Sequence, residues 1–263
     1  VSVDPGRLVK YRYHFSGYSD SDGARWYGIE SSVAAWHQYA FFTDNGGMLQ
    51  CLDLNSMTLK YAVDTDGDGD AGVVIEESAD NNTIFLYAAN KADGRSAADG
   101  RDKAYIRKID GRTGTVAWTK TFDASAENAG GAYAPVHIGK NELNGTVIAS
   151  LSAAALNDGT DGGLIIALDK STGEEKWRVE QADGIWSAPV VIYDENGKGY
   201  ILQCDRGGKL TLYSGIDGQA MCSIDLGSRI ESTPAVFNNT LVVGTRGVDG
   251  SGQGPKIVGI RIG

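Results

Sequence analysis

The sequence predicts an all-β protein, a single domain over residues 1–263 built as a β-propeller of four-stranded antiparallel blades. Three observations predict it. The chain holds 36 Gly but only 5 Pro and 3 Cys, a composition that calls for many tight turns and excludes a collagen-like or disulfide-rich scaffold. Short apolar or alternating runs bounded by Gly, Asp and Asn recur along the chain, and no amphipathic helix pattern of useful length interrupts them. One phrase of strand, turn and strand is also written several times over.

The units read in chain order as follows. Each opens on a first strand marked by a small residue, often Pro, and a Val: SSVAAWH with Val33, DAGVVIE with Gly72, YAPVHIG with Pro135, SAPVVIY with Pro189 and STPAVFN with Pro234. The second strand follows in YAFFT, TIFLYAA, TVIASLS, YILQC and LVVGT. The third and fourth strands enclose the repeated turn. The clearest copy is LIIALDKSTGEEKWRVE, and YIRKIDGRTGTVAWTKTF places Asp110, Thr113, Gly114 and Trp118 at the offsets of Asp169, Thr172, Gly173 and Trp177. Downstream, KLTLYSGIDGQAMCSIDL keeps Gly218 but has Ser214 for Asp and Cys222 for Trp; upstream, MLQCLDLNSMTLKYAVD keeps Asp53, with Met57 for Gly and Tyr61 for Trp. Asp accepts hydrogen bonds from the backbone of a tight turn and Gly supplies positive φ. The aromatic eight residues after the Asp is then free to wedge against the adjacent sheet. A small four-stranded sheet cannot bury both faces alone, so such units stack radially on one another.

Five blades are countable. Four units are complete from about Gly28 to Gly227, and STPAVF, LVVGT and KIVGIRI supply three strands of a fifth. Residues 4–15, DPGRLVKYRYHF, read as a stray turn and fourth strand. The expectation is that Leu8–Phe15 pairs antiparallel with Lys256–Ile262, so that N- and C-terminal strands together close the last blade. The alternative is that these blades are part of a larger propeller.

The segment ALDKSTGEEKW, Ala167–Trp177, resembles the tryptophan docking motif A-x-D-x-x-T-G-x-x-x-W of the pyrroloquinoline-quinone-like (PQQ-like) repeat family. KIDGRTGTVAW resembles it too, with Lys108 for Ala, and residues 51–61 and 212–222 do so in part. The family includes quinoprotein alcohol dehydrogenases and non-enzymatic scaffolds of the BamB type, so the resemblance implies a propeller without implying an enzyme. In the dehydrogenases it implies an adjacent Cys-Cys pair over the quinone, with Glu, Asn and Asp groups around a calcium. Cys51, Cys204 and Cys222 contain no such pair, and no catalytic residue can be carried over. The expected function is a non-catalytic, extracytoplasmic scaffold that binds a protein or a cell-envelope ligand, without PQQ; the alternative is a quinone-dependent dehydrogenase or a fragment of one.

Charge and motifs bear on the partner. A formal net charge of −10 argues against nucleic acid, whose phosphates must be met by Lys and Arg. No run approaches the roughly 18 apolar residues of a membrane-spanning helix. The three cysteines lie in apolar runs and read as buried thiols, and His14, His37 and His137 share no metal-ligand spacing. The exception is DTDGDGDAGVVIEE. Carboxylates at its positions 1, 3 and 5 with Gly at 6 match the first half of a calcium loop, predicting calcium at Asp64, Asp66, Asp68 and Asp70, with Glu76 one place beyond the usual twelfth-position acid. Long polar loops at 16–27, 64–72, 90–103, 123–131, 157–163 and 246–255 emerge on one face of such a fold, where binding is expected.

Overall fold

The computed structural model describes residues 10, 12–13, 28–78, 82–92, 94, 101–128, 130–247 and 254–262. The first blade is β1 (Ala34–Trp36), β2 (Tyr39–Thr43), β3 (Met48–Asp53) and β4 (Thr58–Asp64), hydrogen-bonded in that order. The second is β5 (Val74–Glu77), β6 (Ile84–Ala89), β7 (Arg101–Asp110) and β8 (Val116–Ser125), and the third β9 (His137–Ile138), β10 (Thr146–Ala155), β11 (Asp161–Asp169) and β12 (Glu175–Gln181). The fourth is β13 (Val190–Tyr193), β14 (Gly199–Cys204), β15 (Lys209–Ser214) and β16 (Ala220–Asp225); the fifth has β17 (Ala235–Phe237), β18 (Thr240–Thr245) and β19 (Lys256–Arg261) among the described residues. Neighbouring strands are antiparallel throughout. Each strand expected from the repeats is present.

Separate hydrophobic clusters lie between successive blades rather than one common core. Phe41, Leu49 and Cys51 of the first blade meet Ile84, Leu86 and Ile109 of the second. Tyr87, Ile106 and Trp118 meet Val147, Leu164 and Ile166; Ile148, Ile165 and Ala167 meet Ile201 and Tyr213; Leu202, Cys204 and Leu210 meet Ile230, Leu241 and Val243. Strand alternation thus gives each sheet two apolar faces, one for each neighbour. The serine before the first strand acts as a pin. Ser31, Ser187 and Ser232 each donate a hydroxyl, at 2.8 Å, to a carbonyl at the end of the second strand, those of Thr43, Cys204 and Gly244.

The docking turn repeats almost atom for atom. Asp53, Asp110 and Asp169 each accept two backbone N–H bonds on Oδ1, at 2.8 Å from the residue two places on and 3.1 Å from the next. The residue four places after the Asp has positive φ: Met57 (56°), Gly114 (78°) and Gly173 (74°), with Gly218 (72°) in the serine copy. Across the blade boundary, the aromatic of one blade lies on the next blade's turn. Tyr61 donates its hydroxyl to the Gly111 carbonyl at 2.8 Å, and the indoles of Trp118 and Trp177 donate to Lys170 and Gly215 at 3.1 Å each. A Cβ placed on Gly114, Gly173 or Gly218 would come within 2.6 to 2.8 Å of those rings. The glycine is therefore needed twice, for its backbone angle and for the ring's approach.

A β-bulge aims the aromatic. In each complete blade the register between third and fourth strands slips by one residue, leaving Lys60, Ala117, Lys176 and Met221 without a partner directly before Tyr61, Trp118, Trp177 and Cys222. The extra residue bends the strand and turns the following side chain toward the neighbouring blade.

Two features depart from the sequence reading. The expected loop at 157–163 is shorter than read, since β11 already starts at Asp161 and β10 runs to Ala155. Lengthened this way, the second and third blades join into one eight-stranded sheet through Ala124 and Ala154, flanked by bridges from Lys91 to Gly131 and Gly131 to Ser152. Gly130 and Gly131 permit that approach, because added Cβ atoms would sit 2.4 Å from the Ala153 carbonyl and 2.7 Å from that of Asn90. The N-terminal side of the expected Leu8–Phe15 pairing lies outside the described residues. Within that segment Tyr13 is described, and it packs with Ala40, Phe42 and Leu52 of the first blade and donates to Gln50 at 3.1 Å. β19 pairs with β18, and among the described residues no strand joins the fifth blade to the first; the outward face of the fifth blade leaves Phe237 80% and Ile257 78% exposed.

Trp118→Ala and Trp177→Ala are expected to lower stability by roughly 3 to 5 kcal/mol each, the range for deleting a buried large aromatic, measured by denaturant unfolding; a parent-like midpoint in either would refute the docking role. At the turn's fourth position the expectations are opposite in sign. Gly173→Ala should destabilise the protein and Met57→Gly should stabilise it by about 1 kcal/mol, because only the latter removes a left-handed side-chain penalty.

Candidate functional site

The loops joining fourth to first strands, and those joining second to third strands, gather at one end of the blades. There the acidic loop 64–72 is held from several sides. Asp64 accepts the Asp66 N–H at 2.9 Å, and Asp66 itself, at φ 50°, turns its carboxylate to the buried Arg107 guanidinium at 2.8 Å. Arg107 also donates to the Thr65 carbonyl. Asp68 and Asp70 face one ammonium: Lys91 Nζ lies 3.0 Å from Asp68 and 2.5 Å from Asp70, while the Asn45 amide donates to both at 2.7 and 3.2 Å. Thr43 donates to the Gly69 carbonyl at 2.9 Å and closes the loop onto the first blade.

Of the four residues expected to bind calcium, the fold brings Asp68 and Asp70 together and directs Asp64 and Asp66 elsewhere. Calcium takes six to eight oxygens, whereas the groups in contact with these carboxylates are N–H donors. Among the described residues no three acidic, His or Cys side chains converge as a metal-binding group. In this arrangement Lys91 and Arg107 bring positive charge to the loop's carboxylates. Glu76 stands elsewhere in the second blade's interface with the third, accepting from Tyr87 at 2.7 Å and pairing with Lys170 at 2.6 Å. Burial opposes its charge, yet the Lys170 and Tyr87 bonds hold its carboxyl below the usual value.

From Lys91 a line of side chains crosses the loop face. The ammonium lies 4.9 Å from the centre of the Tyr133 ring, which stacks on Trp186 at 4.6 Å and 18°. Two guanidiniums lie over Trp186, Arg206 at 4.0 Å and Arg229 at 5.4 Å. Arg229, Arg246 and Arg206 then surround Glu231 at 2.5, 3.4 and 3.6 Å. Three guanidiniums on one carboxylate leave this part of the face positive in a chain whose formal charge is −10. Stacked aromatics and cation–π contacts hold the row in place. The sequence reading did not single out this row. Its trace is positional, since Trp186 and Glu231 occupy the same place before Pro189 and Pro234, with Tyr133 one place later before Pro135.

The remaining candidates divide. Cys51 and Cys204 are buried free thiols, as expected, and burial pushes them up to about 11 and about 12. Cys222 is exposed, a correction to its reading as a buried thiol: as the last aromatic position it has no neighbouring turn to cover it among the described residues. His14 lies outside the described residues; His37 is exposed on a turn, and His137 is half-buried in β9, where burial lowers its pKa. Of the expected long loops, 16–27 falls outside the described residues, as do parts of 90–103, 123–131 and 246–255.

Residues 104–201 match the profile of a family described as the glucose/ethanol/alcohol dehydrogenase, beta-propeller domain (PQQ). The docking turn and bulge recur in register beyond that stretch, in the first and fourth blades. Residues 104–201 carry the PQQ-like repeat, and the chain folds as a β-propeller. Among solved structures this propeller is similar to BamB from Moraxella catarrhalis, with a TM-score of 0.56 and 16% identity over 89% of this chain and 61% of that one. It is similar also to the quinohemoprotein alcohol dehydrogenase of Comamonas testosteroni (TM-score 0.60, 12% identity, 82% of this chain and 44% of that one). A europium-containing methanol dehydrogenase gives a TM-score of 0.63 at 10% identity, over 89% of this chain and 57% of that one. At such identities the likeness is one of fold, and the propeller spans between about two fifths and three fifths of these proteins. No curated protein matches the sequence. Among the described residues no helix is long and apolar enough to cross a membrane.

Asp70 yields a pH prediction. Burial, with the charge of Asp68 beside it, raises its carboxyl to about 6 despite the pull of Lys91. Between about pH 4, the unfolded range, and pH 6 the folded state then holds more protons, so this residue lowers stability as pH rises through that window. Asp70→Asn should have a higher thermal midpoint than the parent at pH 8 and an equal one at pH 3; a pH-independent difference would refute the assignment.

Proposed function

We propose that this propeller is a non-catalytic, extracytoplasmic binding scaffold that receives an acidic segment of a protein partner on its loop face. The observation that carries the reading is the row Tyr133, Trp186, Arg206 and Arg229, anchored at one end by Lys91 and at the other by Glu231. Tyr, Trp and Arg dominate the energetics of protein interfaces. A rigid positive strip on an acidic molecule selects against basic partners and steers acidic ones. A cell-envelope polyanion would meet the same strip, but the spaced aromatics favour a peptide whose side chains alternate in character.

The matched family's description supports a second reading, a quinone-dependent dehydrogenase. The site argues against it, because Tyr133, Arg206 and Arg229 already pack on Trp186 and leave little of the indole for a planar cofactor. No adjacent cysteine pair is present in the sequence. Calcium enters this proposal only as an ion that would have to displace Lys91 from Asp68 and Asp70.

The test uses a fluorescein-labelled decapeptide of alternating Glu and Tyr. It should bind the intact chain with an affinity that falls as salt rises, and Arg206→Gln with Arg229→Gln should weaken it about tenfold or more, as for loss of close interfacial charges. Salt-independent binding, or binding unchanged in the double variant, would overturn the reading. Stoichiometric uptake of the quinone with dye-linked alcohol oxidation would replace it by the dehydrogenase. Calcium at millimolar concentration should leave the thermal midpoint unchanged; a calcium-dependent rise lost in Asp66→Ala with Asp68→Ala would restore the metal loop.

A further inference from the structure

At the end of the molecule away from the loop face, the first and second blades leave a cavity of about 440 Å³. This falls within the size range of small-ligand sites. The hairpin between β1 and β2 lines it with Trp36, His37 and Tyr39, the turn after β7 with Arg112, and β4 with its bulge residue Lys60.

The aromatic wall is fixed. The Trp36 indole donates to Glu77 Oε1 of the next blade at 2.9 Å, Tyr39 stacks near-parallel to it at 6.5 Å, and the His37 ring meets it edge-on at 4.2 Å. His37 holds that position from a left-handed backbone, at φ 51°, which few non-glycine residues adopt. Cys51 lines the cavity as well, and burial keeps it a neutral thiol.

The charged side chains that line the cavity, Lys60 and Arg112, are both cations. Lys91, Arg107, Lys108, Lys120 and Lys170 all face carboxylates, whereas among the described residues neither Lys60 nor Arg112 forms an ion pair. One guanidinium nitrogen of Arg112 donates to the Asn82 carbonyl at 3.0 Å, which orients the group, and among the described residues its other donors have no carboxylate partner. Two cations without carboxylate partners beside a braced aromatic wall ask for a ligand with a flat body and a negative end.

We infer that this cavity binds a small planar anion, its aromatic ring along Trp36 and its carboxylate or phosphate between Lys60 and Arg112. The inference stands apart from the loop-face reading, since it uses the opposite end of the blades and none of the same residues.

Calorimetric titration of the intact chain with phenyl phosphate and with benzoate tests it, with inorganic phosphate and the cation benzamidine as controls. At least one aromatic anion should bind saturably with one-to-one stoichiometry, and the tighter of the two identifies the head group. Inorganic phosphate should bind more weakly than phenyl phosphate, and benzamidine should not bind. Lys60→Gln with Arg112→Gln, both exposed, should weaken the aromatic anion about tenfold or more with the thermal midpoint unchanged. The Arg206→Gln, Arg229→Gln variant should bind it as the parent does. The inference is overturned if neither anion saturates, if benzamidine binds equally, if the Lys60 and Arg112 variant keeps parental affinity, or if the loop-face variant loses it.

Discussion

One contact organises this molecule: an aromatic side chain of one blade laid on the turn of the next, its N–H or O–H donated to a backbone carbonyl and its ring resting on a residue of positive φ. Three other features exist to make it possible. The aspartate locks the turn with two backbone hydrogen bonds, the glycine permits both the backbone angle and the ring's approach, and the bulge swings the aromatic out of its own sheet. Because each blade meets only its neighbours, stability is set by a series of such junctions rather than by one shared core. The junctions are graded, with Tyr61 at the first, Trp118 and Trp177 at the next two, and Cys222 at the last, where an aliphatic cluster around Leu202, Leu210 and Leu241 does the packing alone. A cavity of about 140 Å³ beside Cys222 marks the missing ring.

With the junctions fixed, the loops at one end are held at defined separations, and a row of side chains from four blades can meet across them. The acidic loop shows how much the tertiary setting matters. Its carboxylates repel one another as a sequence, and a divalent ion is the obvious remedy. The fold brings Lys91 and Arg107 of the second blade to them, and uses Lys91 a second time, as the cation at the head of the aromatic row. A loop clamped in this way forms a fixed edge of the loop face.

The blade ends differ in chemistry because they differ in what the turns leave unpaired. At the loop face the cations are neutralised or stacked, and their excess gathers around Glu231. At the other end the hairpin turns are short, so side chains from adjacent blades enclose small spaces rather than an extended strip. A broad, charged, aromatic row suits a polypeptide, and a walled pocket of a few hundred cubic ångströms suits a small molecule. The two ends thus differ in surface chemistry on one frame.

The sequence by itself determined the blades. Each strand, the aspartate turn, the positive-φ position and the docking aromatic were legible in the spacing of Asp110, Gly114 and Trp118 and of Asp169, Gly173 and Trp177, because they arise from interactions local in sequence or repeated at a fixed interval. Carboxylate spacing at Asp64, Asp66, Asp68 and Asp70, by contrast, says nothing of Lys91, over twenty residues away, which pairs with two of them. The join between the second and third blades was likewise unreadable, depending on Gly130 and Gly131 meeting strands from two different repeats. Only the tertiary structure brought Tyr133, Trp186, Arg206 and Arg229 into one row and Lys60 and Arg112 to one cavity. Each of those residues lies in a separate unit or strand, and what makes them neighbours is the stacking of blades, a contact between parts of the chain that no local pattern records.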